Sequence, residues 1–197
     1  GKTFQSRTRT AMPSPKRDLL LDTAEQLFYR EGFHATGIDR IQAESGVAKT
    51  TLYKHFASKD ALIEAVLERA SERVKADLEA QAKRLEGQGI ERILAPFRDL
   101  SSMCEGPDFN GCLFNNAAAE FMYSNAAIHA LAARHMRWME AFLARLLEEE
   151  GFDPAQARVL LPLYEGLLTI ARVQDATPVL EQSQQTLRRL LSADDHR

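Results

Sequence analysis

Residues 36–62 read TGIDRIQAESGVAKTTLYKHFASKDAL, and this stretch decides the fold. Thr36 offers a side-chain cap to a short helix running through Asp39, Ile41 and Ala43, which Gly46 ends. Val47 then leads into another short helix, Ala48 to Phe56. Two short helices about one glycine make the helix-turn-helix pattern. Ile38, Ile41, Val47, Leu52 and Phe56 are the apolar positions that pack the pair against an earlier helix. The opposite face of the second helix presents Lys49, Thr50, Thr51, Tyr53, Lys54 and His55. Such a face holds donors for phosphates and base edges, and threonine methyls that can touch a thymine methyl. Thr36 is placed at a helix N-terminus, where free N–H groups and the helix dipole favour a phosphate, and Lys59 is placed likewise at the start of the next helix.

Outward from this stretch the pattern stays helical. Upstream, Leu19, Leu20, Thr23, Ala24, Leu27 and Phe28 recur at spacings of three and four, and Gly32 closes that helix. Residues 1–15 have no periodicity and read as a disordered basic arm. Downstream, Ser58 caps a long helix whose stripe of Leu62, Val66, Ala70, Val74, Leu78, Ala82 and Leu85 extends over about 40 Å, enough to join two domains rigidly. Further helices are expected over Ile90 to Met103, with Pro96 inside, over Gly111 to Tyr123, and through Ile128 to Leu147. Asp153-Pro154 starts a helix to about Gln174 that is apolar on nearly every side and so should be buried on nearly every side, and a last helix begins at Pro178. The expected class is all-α: a helix-turn-helix domain over 16–60, then a helical domain over 61–197.

The 197 residues are 45% hydrophobic and 27% charged, the make-up of an ordinary globular protein. The net charge of −3 hides an asymmetry. Residues 1–60 carry ten lysines and arginines against seven acids, and the remainder 15 against 21. One end therefore suits a polyanion while the other repels it. The richest apolar run, Val159 to Val173, is broken by Pro162, Glu165 and Arg172, so no membrane span is expected, and with no secretory signal the expected location is cytoplasmic. Cys104 and Cys112 make neither a disulfide framework nor a CxxC pair, and no metal site or cofactor is expected.

The stretch 36–62 closely resembles the signature of the TetR family of transcription factors, strongly over about residues 16–62. Beyond that, the similarity lies in helix order and in Gly111-Cys112-Leu113-Phe114-Asn115. The resemblance implies a regulator, in the usual case a repressor that a small-molecule ligand releases from a palindromic operator in double-stranded DNA. It implies that Thr36, Tyr53, His55 and Lys59 hold phosphates while Lys49, Thr50, Thr51 and Lys54 read bases. Thr50 stands where many members carry glycine, which adds a hydroxyl contact.

One recognition helix covers few base pairs, so a two-fold homodimer is expected. Its surfaces would come from Leu160, Leu163, Leu167 and Leu168 on one helix and Leu187 and Leu190 on another, paired as a four-helix bundle as in the family; an intramolecular core is the other reading of the same residues. Phe97, Met103, Phe114, Phe121, Trp138 and Tyr164 are large enough to line a ligand cavity, with Asn115, Asn116, Glu120 or His135 as polar anchors, although core packing explains each one more simply. Cys104 and Cys112 flank a Gly/Pro loop and suit a thiol sensor if one of them has a lowered pKa. An all-helical enzyme is the rival of a different class, against which stands the lack of HExxH, GxSxG, a phosphate loop or a dinucleotide fingerprint. A DNA-binding protein whose C-terminal part serves only assembly is the other rival.

Overall fold

The computed structural model describes residues 14–194. The expected basic arm lies outside the described residues except for Ser14 and Pro15, and Pro15 already opens α1 (Pro15–Glu31). Leu20, Leu21, Ala24, Leu27 and Phe28 form the buried stripe of α1. α2 (Ile38–Ser45) and α3 (Lys49–His55) follow. Gly46 between them adopts φ +67°, a left-handed conformation that costs a side-chain-bearing residue energy and glycine almost none. α4 (Lys59–Arg84) is capped by Ser58, whose Oγ accepts from Ala61 N at 3.0 Å.

α5 (Ile90–Cys104), α6 (Leu113–Phe121), α7 (Ala126–Glu149), α8 (Ala157–Ala171) and α9 (Thr177–Asp194) complete the chain, with a 3₁₀ turn at Pro154–Gln156. Among the described residues there are nine α-helices and no strand. The expected Gly111–Tyr123 helix is shorter at both ends, because Gly111 has φ +75° and Cys112 serves as the cap.

Two cores are threaded on α4. The first joins Leu27, Phe28, Ile41, Leu52 and Phe56 to Leu62, Val66 and Ala70, and also takes in Phe114, Phe121 and Ile128 from α6 and α7. The second joins Ala82 to Phe97 and Leu100 of α5, Phe142 and Leu146 of α7, Leu160 and Leu167 of α8, and Leu187 and Leu191 of α9. A buried arginine fixes the α4–α5 turn: Arg92 donates through Nε to Ala82 O, through Nη1 to Glu150 and through Nη2 to Glu149, each at 2.8 Å. Glu150 also accepts from Gly87 N and Gly89 N. With every donor group engaged, the desolvation cost of the guanidinium is offset.

Two expectations about α8 and α9 are corrected. Leu160, Leu167, Leu168 and Leu187 are at most 4% exposed because they fill the subunit's own second core. Leu163 is half-buried against the same core, and of the expected dimer residues only Leu190, 42% exposed, lies open. Nor is α8 buried all round, since Val159 and, just past its end, Val173 are 56% and 80% exposed.

Candidate functional site

Leu52, Val47 and Phe56 are buried and pin α3 against α1, with the Arg17 guanidinium 5.2 Å from the Phe56 ring centre. The helix period then forces Lys49, Thr50, Tyr53 and Lys54 outward, where all four are exposed, with Thr51 and His55 half-buried at the edges. Lys49 Nζ pairs with Asp39 of α2 at 2.7 Å, so its ammonium must leave an exposed carboxylate to reach a base. Lys59 Nζ donates to His34 O at 3.3 Å, and partial burial lowers its pKa.

Thr36 requires a correction. Its side chain is fully buried, and Oγ1 donates to Gly32 O at 2.7 Å and approaches Leu27 O at 3.3 Å. Gly37 is the N-cap of α2. The Thr36 hydroxyl therefore closes the α1–α2 turn and holds no phosphate.

The same turn is clamped by a residue distant in sequence. Glu120 of α6 accepts from Phe33 N at 2.9 Å and from His34 N at 2.7 Å, and His34 Nδ1 lies 2.8 Å from the same carboxylate. Burial pushes the Glu120 carboxyl up, but these donors outweigh it and hold the pKa below the usual carboxylate value. Glu120 thus ties α6 to the α1–α2 turn and lies outside the lining of the cavity between α1 and α8. Phe121 belongs to the same contact: it meets Phe33 edge-on at 5.8 Å and stacks on His34 at 4.7 Å, likewise outside the lining of that cavity.

A cavity of about 310 Å³ lies between α1 and α8. Glu25, Gln26 and Tyr29 of α1 and Ala70, Arg73 and Val74 of α4 form one side. Tyr164, Glu165 and Leu168 of α8 form the other, and Met103, Gly111, Cys112, Leu113, Phe114, His135 and Met139 close it. Of the residues expected from sequence, Met103, Phe114, Tyr164 and, among the polar candidates, His135 line it. Phe97 stands behind Tyr164, edge-on at 5.5 Å, and Trp138 stacks on Phe142 at 5.1 Å, one ring removed from the cavity beyond His135. Asn115 is not in the wall and reaches it only through Glu165, to whose Oε2 its Nδ2 donates at 2.7 Å.

Sequence reading missed the α1 contribution and Glu165. Tyr29 sits on the flank of the apolar stripe, and a lone acid on an apolar helix, as Glu165 is, was the signal that could have found the other. His135 stacks on Phe114 at 3.6 Å and shares a hydrogen bond with Ser71 Oγ at 2.9 Å. Burial, then the nearby Lys75 charge, pushes its pKa down to about 4, so it is neutral at physiological pH. The condition for a thiol sensor is not met: burial raises the pKa of both Cys104 and Cys112, and Cys112 caps α6 beside the Glu165 carboxyl.

Comparison with known families agrees with this architecture. Residues 20–66 match the family described as bacterial regulatory proteins, tetR family, and residues 89–187 match the tetracyclin repressor-like C-terminal domain. The chain belongs to the TetR family. It is 37% identical over 169 residues to the transcriptional regulator UidR of Escherichia coli, covering 82% of this chain and 84% of that one. It is 28% identical over 177 residues to the E. coli transcriptional repressor NemR, covering 85% and 89%. Among solved structures, a TetR-family regulator from Streptomyces coelicolor superposes with a TM-score of 0.79 at 32% identity, over 93% of this chain and 91% of that one. The chain is accordingly a TetR-family DNA-binding transcriptional regulator and not an enzyme. No helix among the described residues is long and apolar enough to cross a membrane.

Proposed function

We propose that this TetR-family regulator is a repressor that grips a palindromic operator as a homodimer and lets go when a small molecule fills the α1–α8 cavity. The observation that carries the reading is the composition of the cavity wall. Tyr29, Gln26 and Glu25 belong to the helix on which α3 is seated, while Tyr164, Glu165 and Leu168 belong to the C-terminal helices. A ligand in contact with both sides favours one spacing of α1 and α8 over another, and such a difference in affinity between two arrangements is what couples two sites.

On the DNA side, Lys49, Thr50, Thr51 and Lys54 read base edges and Tyr53, His55 and Lys59 hold phosphates. The exposed face of α3 and the positive balance of residues 1–60 support this. The partner subunit would cover the outer face of α8 and α9, where Val159, Val173 and Leu190 are exposed although apolar. The relative NemR is itself a repressor, which supports the sign of the regulation.

Selection of bound duplexes from a random DNA pool by the full chain tests the reading. A two-fold symmetric site with half-sites about one helical turn apart, near 34 Å, is expected. An asymmetric consensus, or none, would contradict it.

A further inference from the structure

We propose that the cavity takes a hydrophobic organic cation, with its positive centre against the Glu165 carboxyl and its apolar body between Phe114, Tyr164 and Met139. The proposal rests on the effector reading of the cavity and names the chemistry of what enters it.

The charges around the cavity are unequally served. Arg73 at its edge is committed to Glu25, at 2.5 Å, and Glu25 also holds Arg69 at 3.2 Å, which pairs in turn with Asp22 at 2.8 Å, so these two arginines and two acids neutralise one another. Glu165 is the exception. Its partners are the Asn115 amide at 2.7 Å and the Cys112 thiol, both neutral, and among the described residues no lysine or arginine pairs with it. A carboxyl placed in an apolar wall with no counter-charge is costly to ionise, and burial accordingly raises the pKa of Glu165.

A cation that enters repays that cost, because attraction between opposite charges is strong where water is excluded. The rest of the wall suits the remainder of such a ligand. Phe114 and Tyr164 put aromatic rings, which attract cations, into the lining, and Met139 and Leu168 are apolar. His135, neutral and stacked on Phe114, adds no repulsion. An anion would meet the opposite field, and a neutral ligand of the same shape would leave the Glu165 carboxyl without compensation.

The test compares benzyltriethylammonium with its neutral carbon isostere, (2,2-diethylbutyl)benzene, by calorimetric titration of the full chain, its Glu165→Gln variant and its Val74→Phe variant, whose ring grows into the cavity. For the unmodified chain, the cation should bind roughly tenfold tighter than the isostere. Glu165→Gln should remove that preference while leaving isostere affinity alone, and Val74→Phe should weaken both. Equal affinity for the two compounds, or a cation preference that survives in Glu165→Gln, overturns the cation proposal; if binding is still lost in Val74→Phe, the cavity remains the effector site. Binding of either compound that Val74→Phe leaves intact, or binding of neither, removes the cavity reading as well.

Discussion

The hydroxyl of Tyr29 donates to the carbonyl of Gly111 across 2.9 Å, joining α1 to the loop that precedes α6. The bond is doubled from the other side. Asn110 N donates to the same hydroxyl at 2.8 Å, and Asn110 Nδ2 returns to Tyr29 O. Gly111 takes φ +75° with the Arg172 side chain against it, and Arg172 reaches Asn116, which in turn holds Asn110 O. α1 and the C-terminal end of α8 are therefore linked through hydrogen bonds at the rim of the cavity.

Removing the hydroxyl while keeping the ring breaks this link with little change in packing. Tyr29→Phe leaves Asn110 N and Gly111 O without a partner, an expected loss of about 1–2 kcal/mol read from urea unfolding. Unchanged stability would mean that water takes over both bonds at no cost.

The Glu120 clamp has a pH signature. A carboxyl whose folded-state pKa lies below its unfolded value contributes stability that is present above the unfolded value and lost as pH falls through the folded one. Glu120→Gln should therefore destabilise the protein at pH 7, by about 1–2 kcal/mol given three charge-assisted contacts at a partly exposed site. The gap to the unmodified chain should begin to narrow below about pH 4, near the unfolded value, and close as pH falls through the lower folded one, where the carboxyl is as neutral as the amide. A gap that stays constant down to pH 3 would show that the amide's shape, not the charge, is at fault.

On DNA, Lys59 and Thr50 should separate positioning from reading. Lys59→Ala is expected to weaken all duplexes alike and to lower the slope of log affinity against log salt by about one per subunit. Thr50→Ala should leave that slope alone and cost about 1–3 kcal/mol at one position of each half-site. The two effects exchanged between the variants would make Thr50 the phosphate contact and Lys59 the reader.

Val159→Glu places a charge on the outer face of α8, where the native valine is 56% exposed. The subunit's fold, followed by helix content, should be unaffected, while the sedimentation mass falls to that of one chain and operator affinity drops more than about tenfold. A dimer that persists would move the subunit contact elsewhere.

How much of this was legible in the sequence depends on range. The α2–α3 turn, the outward face of α3 and the Ser58 cap are local, because glycine, helix period and a side-chain cap act within a few residues. Thr36 failed although its signal was also local: a threonine before a helix reads as a cap whether its hydroxyl points to the helix or, as in this turn, back to Gly32 O. The ties between Tyr29 and Gly111, and between Glu120 and Phe33, span more than 80 residues. Periodicity records that a side chain is buried but not what buries it. The same blindness misplaced Leu160, Leu167 and Leu187, since an apolar helix face looks alike whether its own core or a partner covers it.

The central claim is that occupancy of the α1–α8 cavity governs the grip of α3 on DNA, and a cavity-filling substitution tests it without any ligand. Val74 of α4 is half-buried and lines the cavity, so Val74→Phe grows into open space. Fluorescence anisotropy with the selected operator should show affinity at least about tenfold weaker than for the unmodified chain, with the unfolding midpoint preserved or raised. Unaltered operator affinity in a folded Val74→Phe protein would contradict the account.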